Sequence, residues 1–452
     1  MPIEKRRDRM KLGAFFHPTG NHIAAWLHPS AQIDAGTNFQ HYVLLAQMAE
    51  AAKFDLMFLA DAVATRDGNL EALSRWPQYM AYFDPLTLLA GIAAVTHRLG
   101  LVATMTTSYN EPYTVARRFA SLDLMSKGRT GWNIVTSSNE SEAFNFGRDA
   151  HFGHAERYER ADEFTEVVKG LWDSYDDDAF VRDRQNARYF DPAKLHYLNH
   201  KGKHFTVRGP LNAARPVQGY PVLVQATASM TGREMAARTA ELLFSPLNSL
   251  NDAQQFYGDI KQRCLKYGRS PDHIKVMPGL NVIVGRSEKE ALEKQEYLNS
   301  LIHPDVGKEL LSHELGGLDL STHDIERPIA DEVVERILQR EKRSHSGLLA
   351  DAARTRPTLR DLYQAYGGAR GQRTLVGSPE QVADSMEEWF VQRGVDGFLI
   401  QPAHLPDGLH EFISHVIPIL RERGLFREEY EGETLRENLG LPRPASHYEK
   451  SA

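Results

Sequence analysis

The chain has 452 residues, 42% hydrophobic and 25% charged, with a formal net charge of −7; this ordinary globular balance excludes collagen-like and low-complexity classes and gives no basic surface for nucleic acid. Cys264 is the single cysteine, which excludes a disulfide scaffold or a cysteine-rich metal site and points to the reducing cytoplasm. No apolar run approaches the roughly twenty residues of a bilayer span, so no membrane partner is expected.

The elements alternate from the start. Leu12 to Phe16 reads as a strand, ended by His17-Pro18 and a polar loop with His17, Asn21, His22, Trp26 and His28. Phe39 to Lys53 carries apolar residues at helical spacing. Leu56 to Ala60 is a second strand closed by Asp61, and Leu86 to Val95 a helix opened by Asp84-Pro85. Leu101 to Met105 and Gly131 to Val135 are further strands, each followed by hydroxyl residues and then by helices over 112–125 and 156–172.

The rhythm breaks at 176–210, a charged and aromatic stretch with Pro and Gly that reads as an insertion of loops and short strands. It resumes with Pro221 to Arg233, where Val222-Leu223-Val224 forms a buried strand and Ser229 sits at the N-cap of a helix from Met230. Free backbone N–H groups and the positive end of a helix at such a junction suit an anion, although Ser229 serves equally well as a plain cap. Strands near 242–245, 274–284 and 397–400 follow with their helices, around a second insertion at 303–374 read as polar and Gly-rich. The tail from Phe426 reads as polar and loosely packed, or held by a partner.

Eight strand–helix units with two insertions predict an α/β fold, a (β/α)8 TIM barrel forming one domain over the whole chain. A doubly wound sheet is the rival, weakened by the lack of GxGxxG after the first strand. Active sites of such barrels lie at the C-terminal ends of the strands. The residues there (His17, Asp61, Thr106 to Tyr109, Asn133, Ser137, Gln225, Ser229, Gln401) are mostly neutral hydroxyls and amides. One carboxylate does not make a glycosidase pair, and the histidines of one loop lack metal-ligand spacing, so no metal is expected. Hydroxyls, amides and backbone donors instead suit a phosphate and the polar edge of a large ring. Each also has a plain structural use: Asp61 as a turn cap, Asn133 as a satisfied buried amide, Tyr158 as core, His154 as a cap neighbour.

Six motifs occur in one order: LAD at Leu59-Ala60-Asp61, TSYNEPYTVARRFASLD from Thr107, GRTGWNIVTS from Gly128, ESEAFNFG from Glu140, HAERYERADEF from His154, and VLVQATAS from Val222. Together they resemble the bacterial-luciferase-like flavin monooxygenases, in the branch with nitrilotriacetate, dibenzothiophene-sulfone and long-chain alkane monooxygenases. The resemblance runs from about Lys11 to Gly424. It implies a luciferase-like barrel with insertions at its mouth, and reduced FMN from a separate NAD(P)H:flavin reductase. With O2, one oxygen atom would enter a small organosulfur or amine-type substrate, with C–S or C–N cleavage, and the other would leave as water. The resemblance places Ala60 and Asp61 beside the ring, Thr106 and Asn133 along the ring or ribityl chain, and Ser137, His154, Tyr158, Ser229 and the Met230 N–H around the phosphate. Relatives often carry Gly at the position of Thr227. The substrate side would hold Asn21, Trp26, Tyr109 and Asn110, with His17 or His22 as proton donor or anchor. A deazaflavin-dependent dehydrogenase and a non-catalytic flavin carrier share the cradle. Long exposed helices and a tail suggest a homo-dimer or homo-tetramer.

Overall fold

The computed structural model describes Arg6 and residues 8–227, 229–344 and 348–448. Ala228, inside the expected phosphate turn, lies outside the described residues, as do 345–347 of the second insertion and 449–452 of the tail.

Among the described residues, ten strands form one curled parallel sheet. They are β1 Lys11–Phe15, β2 Leu56–Leu59, β3 Gly100–Thr106, β4 Thr130–Val135, β5 Val222–Ala226, β6 Leu242–Phe244, β7 Lys275–Val276, β8 Gly279–Val284, β9 Arg373–Gly377 and β10 Gly397–Pro402. Their spatial order is β9-β8-β10-β1-β2-β3-β4-β5-β6-β7. Every residue of β1, β2, β3, β8 and β10 is buried, which is why these strands read as continuous apolar runs rather than alternating ones.

β7 and β8 are two halves of one extended segment that changes partner at Met277-Pro278, where proline has no N–H for a ladder. Met277 N donates to Leu243 O at 2.9 Å, and Leu399 N donates to Pro278 O at 2.9 Å. The last strand of the order, β7, and the strand next to its other end, β8, are therefore continuous in the chain.

The connecting helices begin at side-chain caps. Asp84 accepts from Thr87 N ahead of Pro85, Ser249 from Asp252 N, Ser287 from Glu290 N, and Ser378 forms a capping box with Gln381. Leu12, Leu101, Trp132, Phe164 and Phe398 belong to the layer packed between sheet and helices. Phe15, Leu56, Phe58, Val102, Val224 and Leu399 form a second cluster inside the curl. No helix among the described residues is long and apolar enough to cross a membrane.

Two readings of the sequence need correction. The insertion at 303–374 is built of helices Pro304–Glu314, Asp331–Ser344, Leu348–Arg354 and Leu359–Ala369, and its end supplies β9 beside β8. Its leucines fall at helical spacing, and Leu310, Leu311, Ile337, Leu362 and Tyr363 form a hydrophobic cluster of their own. The polar residues between them dominate the composition and conceal that spacing.

The tail is not loosely packed. Leu435, Leu439 and Leu441 join the cluster inside the curl, and Leu435 N donates to Gly128 O at 3.0 Å, ahead of β4. Arg427, fully buried, donates to Asp55, and Arg436 forks onto both oxygens of Glu241 at 2.6 and 2.7 Å. The tail thus fills the N-terminal end of the sheet, opposite the strand ends where the polar residues gather.

Candidate functional site

A cleft of about 870 Å³ opens at the C-terminal ends of β2 to β5, within the size range of small-molecule and cofactor pockets. Asp61, Thr104, Thr106, Ser137, Gln225 and Ala226 line it from the strand ends. Arg66 and Tyr79 close it from loops, Glu142 and Tyr158 from helices Ser141–Phe144 and His154–Trp172, and His313, Gly316 and Gly317 reach it from the second insertion.

A directed chain of hydrogen bonds crosses one wall. Ser108 N–H donates to Thr106 Oγ1 at 3.1 Å, Thr106 and Ser137 share a bond of 2.7 Å, and Ser137 Oγ donates to Glu142 at 2.5 Å. Ser137 has a single hydroxyl proton and gives it to Glu142, so Thr106 is the donor in the middle bond. Burial raises the Glu142 carboxyl above its ordinary value, against the pull of the Ser137 hydroxyl and Arg157. Ser137 itself sits at φ +58°, a left-handed conformation uncommon outside glycine, with its carbonyl held by Arg157.

Deeper in, Thr104 Oγ1 donates to Leu59 O at 2.8 Å and so can only accept from Asn133 Nδ2, at 2.9 Å. That fixes the Asn133 amide and leaves its buried Oδ1 without a partner. Gln225 Oε1 and Thr227 Oγ1, beyond the end of β5, are likewise buried and unpartnered. Buried polar atoms are otherwise almost always satisfied, so three orphans beside one cleft fit a polar ligand. Asp61 is raised to about 7, by burial first and then by Asp84 and Glu142, with the Ala62 N–H opposing.

At the expected phosphate end, Tyr158 lines the cleft and lies against the exposed His154, ring centroids 4.9 Å apart and tilted by 44°. Ser229 caps helix Met230–Thr239 by accepting from Gly232 N at 3.1 Å. The Met230 side chain is exposed and lines a separate, smaller cleft. Gly232 has a local reason: a Cβ there would collide with Thr227 Oγ1. Ala60 is half-buried against the inner cluster.

The expected substrate residues do not gather in the cleft lining. His22 is buried, accepts from Ala24 N at 3.2 Å and donates through Nε2 to Asn299 Oδ1 at 3.1 Å, and burial lowers it to about 4. Both its nitrogens are engaged in holding the loop. Trp26 donates to Arg75 O at 3.2 Å and borders a different pocket of about 540 Å³. Asn21 Nδ2 reaches Gly368 O at 3.5 Å. Asn110 ties back to Thr106 O at 2.9 Å, and Tyr109 stacks on Phe146 at 4.9 Å with its hydroxyl on His151. His17 is buried and held well below its ordinary value by burial and by Arg370 and Arg66.

Sequence reasoning missed those two arginines and His313. The signal of the arginines is a buried nitrogen without a partner, and His313 lies against Glu309 at the cleft edge; no motif carries either. Among the described residues no group of three or more His, Cys, Asp or Glu is placed to hold a metal.

Residues 15–397 match the family described as Luciferase-like monooxygenase. The chain belongs to the luciferase-like monooxygenase family. It is 45% identical to N-acetyl-S-(2-succino)cysteine monooxygenase of Bacillus subtilis (strain 168), over 99% of this chain and 100% of that one. It is 46% identical to nitrilotriacetate monooxygenase component A of Aminobacter aminovorans, over 98% of each. A crystal structure of a long-chain alkane monooxygenase superposes with a TM-score of 0.84 at 35% identity, over 96% of both chains. This luciferase-like protein is accordingly a flavin-dependent monooxygenase, and the cleft is its candidate active site.

Proposed function

We propose that this chain is the oxygenating component of a two-component system. It takes reduced FMN from a separate NAD(P)H:flavin reductase and uses O2 to oxygenate a small organic substrate. The observation that carries the reading is the cleft whose lining holds the buried, unpartnered Gln225 Oε1, with two more such atoms, Asn133 Oδ1 and Thr227 Oγ1, one residue from lining positions. In this reading Ser137, Tyr158, His154, Ser229 and the Met230 N–H hold the phosphate, the last two through the helix N-terminus. Thr106 and Asn133 take the ribityl and ring edges, with Ala60 and Asp61 beside the ring. Bound reduced FMN supplies the electrons for activation of O2.

The protein's own part is to hold, orient and keep dry. Gly316 and Gly317 bring the edge of the second insertion over the cleft and restrict water. The Asp61 carboxyl, at about 7, holds a proton at neutral pH and can return it, which suits proton transfer inside the cleft. The shared segment 275–284 supports reading the curled sheet as a closed eight-stranded barrel. N-acetyl-S-(2-succino)cysteine carries C–S bonds and nitrilotriacetate C–N bonds, and cleavage of one of these bond types is the reaction we assign. A homo-dimer or homo-tetramer is the form we assign, checked by light scattering.

Anaerobic titration with reduced FMN, then mixing with O2 and a panel of thioethers and tertiary amines, tests the reading. Binding followed by substrate-dependent oxygenated product is expected. Failure to bind reduced FMN, or peroxide release alone with every compound, would overturn it.

A further inference from the structure

Arg66 and Arg370 come from distant parts of the chain, one from the loop after β2 and the other from the end of the second insertion. Arg66 lines the cleft, and its guanidinium lies over Trp76 at 4.8 Å and Tyr79 at 5.8 Å. Stacking on two rings fixes the plane of the group and leaves its N–H edges for an acceptor in that plane. Arg370 follows helix Leu359–Ala369 as its C-cap at φ +49°, a left-handed conformation that turns the side chain off the helix end. The carbonyl of Gly368 just before it receives Asn281 at 3.0 Å, which anchors this turn to β8.

Among the described residues no carboxylate is paired with either guanidinium. Arg66 Nε and Arg370 Nε and Nη1 are buried and meet no hydrogen-bond acceptor among the described residues. The groups whose charge acts on Arg370 are Tyr82, Tyr79, Arg66 and Tyr366, and no carboxylate is among them. Burial lowers Arg370 to about 10, and the nearby Arg66 pushes the same way. Both arginines also act on His17 and keep it neutral, which places the pair together near the end of β1. Buried charges are normally paired, because an isolated one loses its hydration without compensation. Arg66 in the cleft lining, with its Nε buried and unpartnered, and Arg370 within its electrostatic reach, with two such nitrogens, call for an anion that arrives with the ligand.

We propose that Arg66 and Arg370 form a carboxylate-binding subsite, so that the substrate of this monooxygenase is an organic acid held by its carboxylate groups over the cleft. Arg suits this task because its fork matches the two oxygens of a carboxylate. The proposal rests on the cleft being the active site, as argued above. A phosphate, that of FMN included, offers the same chemistry, and the test separates the two sources.

Calorimetric titration of the FMN-loaded protein with succinate and with propane-1,2,3-tricarboxylate, each against its amide, reads the subsite directly without turnover. The acids are expected to bind at least about tenfold tighter than the amides. Arg370→Gln and Arg66→Gln should each weaken acid binding by about tenfold or more, with Arg370→Lys recovering part of it. FMN affinity should stay within about twofold throughout, since these variants leave the phosphate cradle intact. Arg66 stands on a half-exposed loop, so its variant keeps the test alive should Arg370→Gln fold poorly. Equal binding of acids and amides, no acid binding by the parent protein, or unchanged acid binding in both glutamine variants would overturn the proposal. Loss of FMN affinity with riboflavin affinity retained would assign the arginines to the cofactor phosphate and overturn it equally. A protein that binds acids through these arginines yet never oxygenates would leave the subsite standing and remove the proposed function instead.

Discussion

On the β3–β4 side of the cleft, polar groups satisfy one another in sequence, from the Ser108 N–H through Thr106 and Ser137 to Glu142, and an amide oxygen of Asn133 and the Nε of Arg157 are left over. On the side toward β1, Arg66 stands over Trp76 and Tyr79, and Arg66 Nε with Arg370 Nε and Nη1 meets no acceptor among the described residues. The first side is pre-organised without a ligand and has specificity to lend to a neutral polar edge. The second carries a desolvation cost that only an incoming anion relieves. A molecule bound across both would be gripped by geometry at one end and by charge at the other.

The contrast can be broken or sharpened by substitution. The largest effect is expected from Ser229→Ala combined with Tyr158→Phe. Losing two hydrogen bonds to a charged phosphate should weaken FMN binding by about 100-fold in a fluorescence titration, while leaving carboxylate binding untouched. If both ligands weaken together, the two sides are not independent.

Asp61→Asn comes next, read in the flavin-free protein. The folded carboxyl titrates near 7 and the unfolded one near 3.8, so the folded state binds more protons between those limits and stability falls as pH rises through that window. The substitution removes the cost of ionising the buried group. It should raise Tm by about 3 °C at pH 8 and by little at pH 4, in calorimetric scans.

Gly232→Ala should lower Tm by about 2 °C, although alanine ordinarily favours a helix, because its Cβ meets Thr227 Oγ1. Adding Thr227→Gly should restore it, and additive losses in the double variant would show that the two residues do not touch.

The smallest effect is assigned to His22. Its folded value of about 4 lies below the unfolded 6.5, so the unfolded state takes up a proton that the folded one refuses as pH falls from 6.5 toward 4. Stability due to this group is present above that window and lost within it. His22→Gln should flatten the acid limb of the Tm profile by about 1 °C per pH unit, measured between pH 7 and pH 5.

The side made of hydroxyls was legible because it lies on strand ends that read as apolar runs closed by polar residues, Leu101 to Thr106 and Gly131 to Ser137 above all. The cationic side was not. Arginine in a loop is ordinarily solvated, and nothing in the residues around Arg66 or Arg370 marks them as buried. The same limit hid β9, whose residues are mostly half-buried, and the helical core of the second insertion, where Leu310, Leu311 and Leu362 are diluted by charged neighbours. In the tail, Leu435 and Leu439 stand one helical turn apart on a short helix, too few to register as a period in a polar stretch. The His-rich loop reads as chemical because titratable side chains stand at a strand end, and in the structure His22 braces Ala24 and Asn299.

The burial of Leu435, Leu439 and Leu441 among the inner residues of β1 to β6 has an outcome for biosynthesis. A chain emerging from the ribosome can pair its strands as they appear, but the floor of the interior is delivered only after all ten of them. Until those leucines leave the exit tunnel, Phe58, Val102 and Val224 face water from below, and the nascent protein is a natural client for chaperones that shield apolar surface.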